Sequence, residues 1–353
     1  MVDTLMMSVV LDAPNELRLE QRPEPQPGPG EALVAIHSTG ICGTDLSIIA
    51  GKIPVTHPLV LGHEMVGTIL DLNGGVPPGR RLRRGDRVLV DPVVFCGTCY
   101  QCSKGQVNLC PNGALMGRDR DGGFSNAVAV PAANLYPVPE EISDTTGPLL
   151  QVLTTCMHAE RQTTLLPGES ALVMGLGVAG LLHLQLAKAR GASPLIGVTR
   201  TASKRALAER LGADVTIDPS DPRALETVLD CTSGRGVDVA IEAVGRGATL
   251  AQAIEFTRIG GRLTLFGTIT EPAPSLPYYQ LYYKELLISN PRAAKPEDFP
   301  AAIDIVSNGT VTLEPLVTGV FPLSRAREAI AAIGAGGSLK VVLDHLGDDP
   351  AAA

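Results

Sequence analysis

The segment Gly175-Leu176-Gly177-Val178-Ala179-Gly180 constrains the fold more than any other feature of this 353-residue chain. A β-rich run, Ala171-Leu172-Val173-Met174, precedes it and an apolar helical run follows it. In that setting Gly175 permits a tight turn, Gly177 lets a pyrophosphate approach the backbone, and Gly180 lets the helix pack closely on the sheet. The amides of the helix start, from Val178 onward, face the phosphates. A plain glycine-rich turn is the competing reading; the flanking strand and helix favour a dinucleotide site. The rhythm of strand, glycine turn and helix then repeats through PLIGVT and SKRALAERLG, DVTI and ALETVLDCT, VDVAIEAVG and ATLAQAIEFTR, and GRLTLFGT. Such alternation implies an α/β domain whose parallel sheet is wound by right-handed crossovers.

Up to about residue 150 the pattern differs. Short β-rich runs (SVVL, ALVAIHST, MVGTIL, DRVLVDPVV, NAVAVPAANLYPV) are broken by turns, and none is long enough for a layer of helices. Beyond about residue 292 come a helix in DFPAAIDIVSNG, the run LVTGVFPLSRAREAIAAI and a last strand, LKVVLD. This piece is assigned back to the first domain, because the parallel sheet already has its six strands. The expected organisation is a β-rich domain over 1–155 and 292–353 and a doubly wound domain over 156–291. No repeat occurs at solenoid spacing, and the tail GDDPAAA is read as frayed.

Composition narrows the function. At 44% apolar residues the chain can fill two cores, and 38 Gly with 28 Pro fall short of a low-complexity sequence. A net charge of −8, 3% aromatic residues and no Trp argue against a nucleic-acid partner. The longest apolar stretch, Ala171 to Ala187, is shorter than the ~20 residues of a membrane span and contains Gly175, Gly177, Gly180, His183 and Gln185. With Asp3 early and no basic residue before Arg18, the start lacks a secretory signal and reads as the first strand of a cytoplasmic protein.

Seven cysteines point to metal rather than disulfides in such a compartment. Cys96, Cys99, Cys102 and Cys110 form C-x2-C-x2-C-x7-C, spacing that closes a tetrahedron around Zn2+ and leaves no open position, as a structural site requires. An iron–sulfur cluster and four unrelated buried thiols are the alternatives. A second set is split between Cys42 in GICGTDLS and His63-Glu64 in LVLGHEMVG. Thiolate, imidazole and carboxylate from separate loops are the mixed donors of a catalytic zinc. Otherwise His63 is a satisfied core histidine and Glu64 the partner of an arginine.

The order of GHExxG, four-cysteine lobe, GxGxxG and parallel sheet resembles the zinc-dependent medium-chain alcohol dehydrogenases, in the branch of threonine, sorbitol and other polyol dehydrogenases. The resemblance runs from about residue 8 to about residue 345. It implies a GroES-like catalytic domain beside a Rossmann domain, with the active site in the cleft, one catalytic and one structural zinc, and a homodimer or homotetramer. It also implies that Cys42 and His63 bind the catalytic zinc and that Glu64 is a ligand or a neighbour able to exchange with water. Asp45 would orient His63 through its ring N–H, and Thr44 would accept the proton of a small-molecule alcohol.

Three positions set this chain apart. Gln151, seven residues before His158, replaces the acid of an E-P-L-x-x-x-x-H segment, so it ligates weakly through oxygen or hydrogen-bonds the bound water. Thr155 lies one turn further on the same face, towards the nicotinamide, whereas Cys156 and Cys231 are read as buried structural thiols. Ser47 stands where many members carry a relay histidine; either it serves the proton path or it is an inert hydroxyl, with the proton leaving Thr44 through cofactor hydroxyls or water. At the end of the second Rossmann strand, Thr199 occupies the place of the acid that favours NAD. Arg200, Lys204 and Arg205 follow, so NADP(H) is expected over NAD(H); an ordinary solvated helix start is the competing reading. The expected reaction is hydride transfer between a secondary alcohol or polyol and NADP, with a pocket drawing on Ile48, Phe95, Leu115 and Met116. A carbonyl reductase is the runner-up, and a non-catalytic nucleotide-binding zinc protein is the reading from another class.

Overall fold

The structure, a computed structural model, describes residues 5–76, 79–270, 275–334 and 337–347; positions 348–353 of the tail lie outside the described residues. Chain contacts define two compact units, Met1–Val152 with Lys295–Asn308 and Thr312–Ala353, and Leu153–Ala294 with Gly309–Val311.

The first unit is built on a seven-stranded sheet. Its path runs Leu135–Pro137, Arg87–Val90, Glu64–Asn73, Glu31–Gly40, Lys340–Asp344 and Val317–Pro322, and Ala127–Pro131 pairs with Glu31–Gly40 off this path. The C-terminal strand is therefore interior, antiparallel to Glu31–Gly40 and parallel to Val317–Pro322. β-branched and aliphatic side chains of this sheet form its core, with Val34, Ile36, Met65, Ile69, Val88 and Val90 in one cluster and Val341 and Leu343 of the C-terminal strand in another. The run DRVLVDPVV is not one strand. Arg87–Val90 and Val93–Val94 belong to different sheets, because Pro92 has no N–H to give and Asp91 Oδ1 takes the Val93 N–H at 2.9 Å, turning the chain.

The second unit carries a six-stranded sheet, in the order Val215–Ile217, Leu195–Val198, Ala171–Met174, Val237–Glu242, Thr257–Leu265 and Leu287–Ser289. Every neighbouring pair is parallel. The order reverses between Ala171–Met174 and Val237–Glu242, so the carboxyl ends of these strands open a crevice at the switch point. The runs quoted from the sequence supply five of these strands, one short of the six counted there: the sixth, Leu287–Ser289, is only three residues long, and in the helix before it, Tyr278–Lys284, Tyr278, Tyr279, Tyr282 and Tyr283 are all exposed. Lys284 anchors them. Its ammonium donates to the carbonyls of Ile254, Glu255 and Thr257 at 2.9, 2.8 and 2.7 Å, satisfying groups left open where the helix Gly247–Phe256 ends. Among the described residues no helix is long and apolar enough to cross a membrane.

Candidate active site and cofactor pocket

Cys42 precedes the short helix Gly43–Ile49, and His63 stands at the entry to the strand Glu64–Asn73. Asp45, wholly buried, joins them: its Oδ2 accepts the Cys42 N–H at 2.8 Å and its Oδ1 faces His63 Nδ1 at 3.4 Å. This is a charge contact rather than a hydrogen bond, and it leaves Nε2 clear of Asp45. One donor atom each from Cys42, His63 and Glu64 lie within 4.8 Å of one another. Burial pushes His63 towards its neutral form, but Asp45 and Cys42 outweigh this and raise its pKa well above the usual value. A buried set so rich in acids fits a cation.

Glu64 has a partner, as one reading of the sequence anticipated, but it is a lysine. Lys340 Nζ lies 2.6 and 2.8 Å from the two carboxylate oxygens and donates to the Ile41 carbonyl at 3.2 Å. The two side chains are 5% and 1% exposed. Gly40, opposite Glu64 in the strand register, leaves the room; a Cβ there would sit 2.0 Å from Glu64 Oε2. Sequence reasoning missed Lys340, which lies 276 residues away with no motif around it.

The other sequence candidates divide. Thr44 lies half-buried in the first turn beside Asp45. Ser47 donates its hydroxyl to the Gly43 carbonyl at 2.9 Å, the behaviour of an inert helix hydroxyl. Gln151 and Thr155 sit half-buried on successive turns of Leu149–Gln162. Ile48 and Met116, expected in a substrate pocket, are core residues at 1% and 0% exposure, packed because their neighbours are apolar on all sides; Phe95 and Leu115 are half-buried. Cys156 is buried as expected, whereas Cys231 is partly exposed.

The lobe of Cys96, Cys99, Cys102 and Cys110 brings four thiols together. Sγ–Sγ separations are 3.5 Å for Cys99–Cys102 and Cys96–Cys110 and 3.8 Å for Cys99–Cys110. Those are close to the ~3.8 Å edges of a tetrahedron with ~2.3 Å Zn–S bonds, and far from the ~2.05 Å of a disulfide.

In the second unit a cavity of about 610 Å³ opens at the crevice, lined by Gly175, Leu176, Gly177, Thr199, Arg200 and Lys204 among others. Gly175 has φ +95°, and a Cβ at Gly180 would lie 1.7 Å from the Gly175 oxygen, so the fold itself requires both glycines. A Cβ at Gly177 would meet nothing within 4 Å. Packing does not demand that glycine, and the backbone there is open to close approach. Val178, the first residue of the helix, Thr155 and Gly180 do not line the cavity. Arg205 turns away, contrary to expectation: its Nη1 donates to the Thr199 carbonyl at 2.6 Å and to Asp218 at 3.1 Å, because these acceptors lie within reach of its helix turn. Arg246 was missed. It lines the cavity at the start of Gly247–Phe256, and the Gly-Arg-Gly after a strand was its only signal. Buried Glu242 holds that turn, accepting from the Val244 and Gly245 amides and from the Thr249 hydroxyl.

The Lys340–Glu64 pair yields a test. Lys340→Met leaves a buried carboxylate without a counter-ion and should cost about 3–5 kcal/mol, whereas Lys340→Met with Glu64→Gln should recover much of that loss. Thermal or urea unfolding of both variants measures it; equal losses would mean the pair is not coupled.

Residues 28–140 match the family model of the alcohol dehydrogenase GroES-like domain, and residues 178–308 match that of zinc-binding dehydrogenases. Sorbitol dehydrogenase of Ovis aries is 33% identical over 343 residues, 96% of each chain. A zinc-binding dehydrogenase of Sinorhizobium meliloti 1021 bound to NADP superposes with a TM-score of 0.90 at 31% identity, covering 97% of this chain and 99% of that one. An alcohol dehydrogenase of Escherichia coli CFT073 complexed with NADH gives 0.89 at 31% identity, with the same coverage. Likeness that extends through both units at this level shows that the chain belongs to the zinc-dependent medium-chain alcohol dehydrogenase family.

Proposed function

We propose that this enzyme transfers a hydride between a secondary alcohol or polyol and NADP(H), and that it prefers NADP(H) to NAD(H). The observation that carries the cofactor choice is the wall of the cavity beyond the second strand, where Thr199, Arg200, Thr201, Lys204, Ser220 and Arg246 stand and no lining residue is acidic. A 2′-phosphate there meets guanidinium, ammonium and hydroxyl donors instead of a carboxylate. Arg205 contributes by holding the Thr199 carbonyl, and so the turn, in place.

In this reading Cys42 and His63 hold a catalytic zinc, with Glu64 and Gln151 beside it, and Cys96, Cys99, Cys102 and Cys110 hold a structural one. When bound, the catalytic ion supplies Lewis acidity at the alcohol or carbonyl oxygen, and the nicotinamide takes or gives the hydride. Thr44 relays the substrate proton, its hydroxyl accepting that proton as it passes its own onward through cofactor hydroxyls or water. Asp45 sets its charge beside the His63 ring, and Lys340 neutralises Glu64. The amides from Val178 onward meet the pyrophosphate over Gly177, and Thr155 faces the nicotinamide. Seven free thiols suit a cytoplasmic enzyme, and the exposed Tyr279, Tyr282, Leu287 and Ile288 beside the sheet edge support a homodimer or homotetramer.

Metal analysis should find about two zinc ions per chain. Cys42→Ala should lose about one of them and all turnover while staying folded, and Cys99→Ala should impair folding. Wild-type protein with no metal outside the four-cysteine lobe would sink the catalytic assignment. Gln151→Glu adds a negative charge and should move the pH–rate profile of alcohol oxidation upward; an unchanged profile would place Gln151 elsewhere. Steady-state kinetics should favour NADP over NAD by about 10²–10⁴, from two charge-assisted contacts of ~1.5–3 kcal/mol each. Thr199→Asp with Arg200→Ala should reverse the preference, and equal or better efficiency with NAD in the wild type would refute it.

A further inference from the structure

Two turns that follow different strands stand in the wall of the second unit's cofactor cavity. Thr199, Arg200 and Thr201 come after Leu195–Val198, Pro219 and Ser220 come after Val215–Ile217, and all five line the cavity. Two charged side chains that do not line it strap these turns together from outside. Arg205 Nη1 donates to the Thr199 carbonyl at 2.6 Å and to Asp218 Oδ2 at 3.1 Å. Asp218 Oδ1 accepts from the Ser220 amide at 3.0 Å and from the Ser220 hydroxyl at 2.6 Å. One carboxylate oxygen thus holds the wall, and the other is spent on Arg205.

A single nitrogen serves both acceptors, so Asp218 Oδ2 lies no further from the Thr199 carbonyl oxygen than the two bonds laid end to end. The second strand has no acid at its end, but the third runs straight into this one. A carboxylate there suits the ribose hydroxyls of NAD and opposes a 2′-phosphate. Glu242, at the end of Val237–Glu242, is 0% exposed and enclosed by the Val244 and Gly245 amides and the Thr249 hydroxyl. Asp218 is not enclosed: its side chain is 32% exposed, and among the described residues Arg205 is its ion-pair partner. Without that guanidinium Oδ2 would stand unpaired two residues from Ser220. The wall would persist, since the Thr199 N–H donates to the Ile217 carbonyl at 3.0 Å, Gln252 Nε2 donates to the Pro219 carbonyl at 2.9 Å, and Ser220 stays on Oδ1.

We propose that Arg205 is a positioning residue that determines cofactor specificity: by closing on Asp218 Oδ2 it withholds an acid from the 2′-phosphate end of the cavity. The preference for NADP(H) then depends on a side chain outside the cavity, acting through its partner. The proposal rests on the reading of the cavity as an NADP(H) site. NAD(H) carries a hydroxyl where NADP(H) carries that phosphate, so a freed carboxylate would penalise NADP(H) and leave NAD(H) nearly untouched. A unit charge about 8 Å from a phosphate of charge about −1.5, at an effective dielectric of about 40, corresponds to roughly tenfold in affinity. Added salt should shrink this difference, because Asp218 is partly in water.

Fluorescence titration of the zinc-loaded protein with NADPH and with NADH gives the two Kd values, free of tryptophan background, and their ratio is the readout. Arg205→Ala, a good helix former within Ala202–Arg210, should fold and lower the preference for NADPH about tenfold, with most of the loss in NADPH binding. Arg205→Ala with Asp218→Asn keeps an oxygen for Ser220 but no unpaired charge, so its ratio should return to within about threefold of wild type. Asp218→Asn alone should hold the ratio at or above the wild-type value. A ratio within twofold of wild type in Arg205→Ala, including equal weakening of both cofactors, overturns the proposal alone. So does a double variant whose ratio stays as low as that of Arg205→Ala, or a fall of more than threefold in Asp218→Asn. Wild type that binds NADH as tightly as NADPH overturns the NADP(H) reading and the proposal with it.

Discussion

The closure of the Lys340 ammonium on the Glu64 carboxylate holds the first unit's site together. Both groups have left water, a transfer that costs several kcal/mol per ion unless the pair is close and its remaining donors are used. The 2.6 Å contact and the third bond to the Ile41 carbonyl meet that condition. The pair fastens the C-terminal strand to the strand Glu64–Asn73 across Glu31–Gly40, so the segments that present Cys42 and His63 are fixed from both ends of the chain. Steric limits around it are tight. Gly40 has no room for a Cβ, and one at Gly62, where φ is +94°, would lie 2.5 Å from Phe124 Cδ1.

The second unit uses its acids differently. Asp218 is held below the usual carboxylate range by hydrogen bonds from Ser220 and by Arg205, and Glu242 is spent on the Val244 and Gly245 amides and the Thr249 hydroxyl. Each carboxylate shapes a turn at the cavity rim and none of its charge is offered inward. The cations Arg200, Lys204 and Arg246 are left to define the potential that a ligand meets.

Local chemistry explains what the sequence made legible. The glycine loop, the four-cysteine lobe and the GHExxG segment are each written in a few consecutive residues, because turn geometry or ligand number dictates residue type at fixed spacing. Partners chosen by the tertiary fold leave no such trace. Lys340 pairs with a residue in another strand, Arg246 reaches the cavity from a helix start, and Arg205 was misread because its nearest acceptors, the Thr199 carbonyl and Asp218, are invisible in one dimension. Ile48 and Met116 failed for a related reason: an apolar residue near a site motif fits a pocket wall and a core equally well until its neighbours are known. The strand Leu287–Ser289 is too short for periodicity and is specified by pairing with Thr257–Leu265.

The neutral amide at Gln151 takes on a different weight once Lys340 is counted. With Glu64 balanced by Lys340, a zinc ion held by Cys42 and His63 would have one thiolate and one imidazole, and the amide that stands for a carboxylate at position 151 would add no negative charge. Asp45, buried against the Cys42 amide and the His63 ring, adds one negative charge and brings the set to about neutral, where a further carboxylate would make it negative. In that reading a neutral set, compared with a negative one, would favour an alcohol that has already lost its proton and lower the demand on any base that follows. Ser47, tied to the Gly43 carbonyl, cannot store a proton near neutrality. In that reading the amide at position 151 and the hydroxyl at position 47 would act together: a site without a further negative charge lets the proton leave easily, and so would need no base beside it to hold that proton.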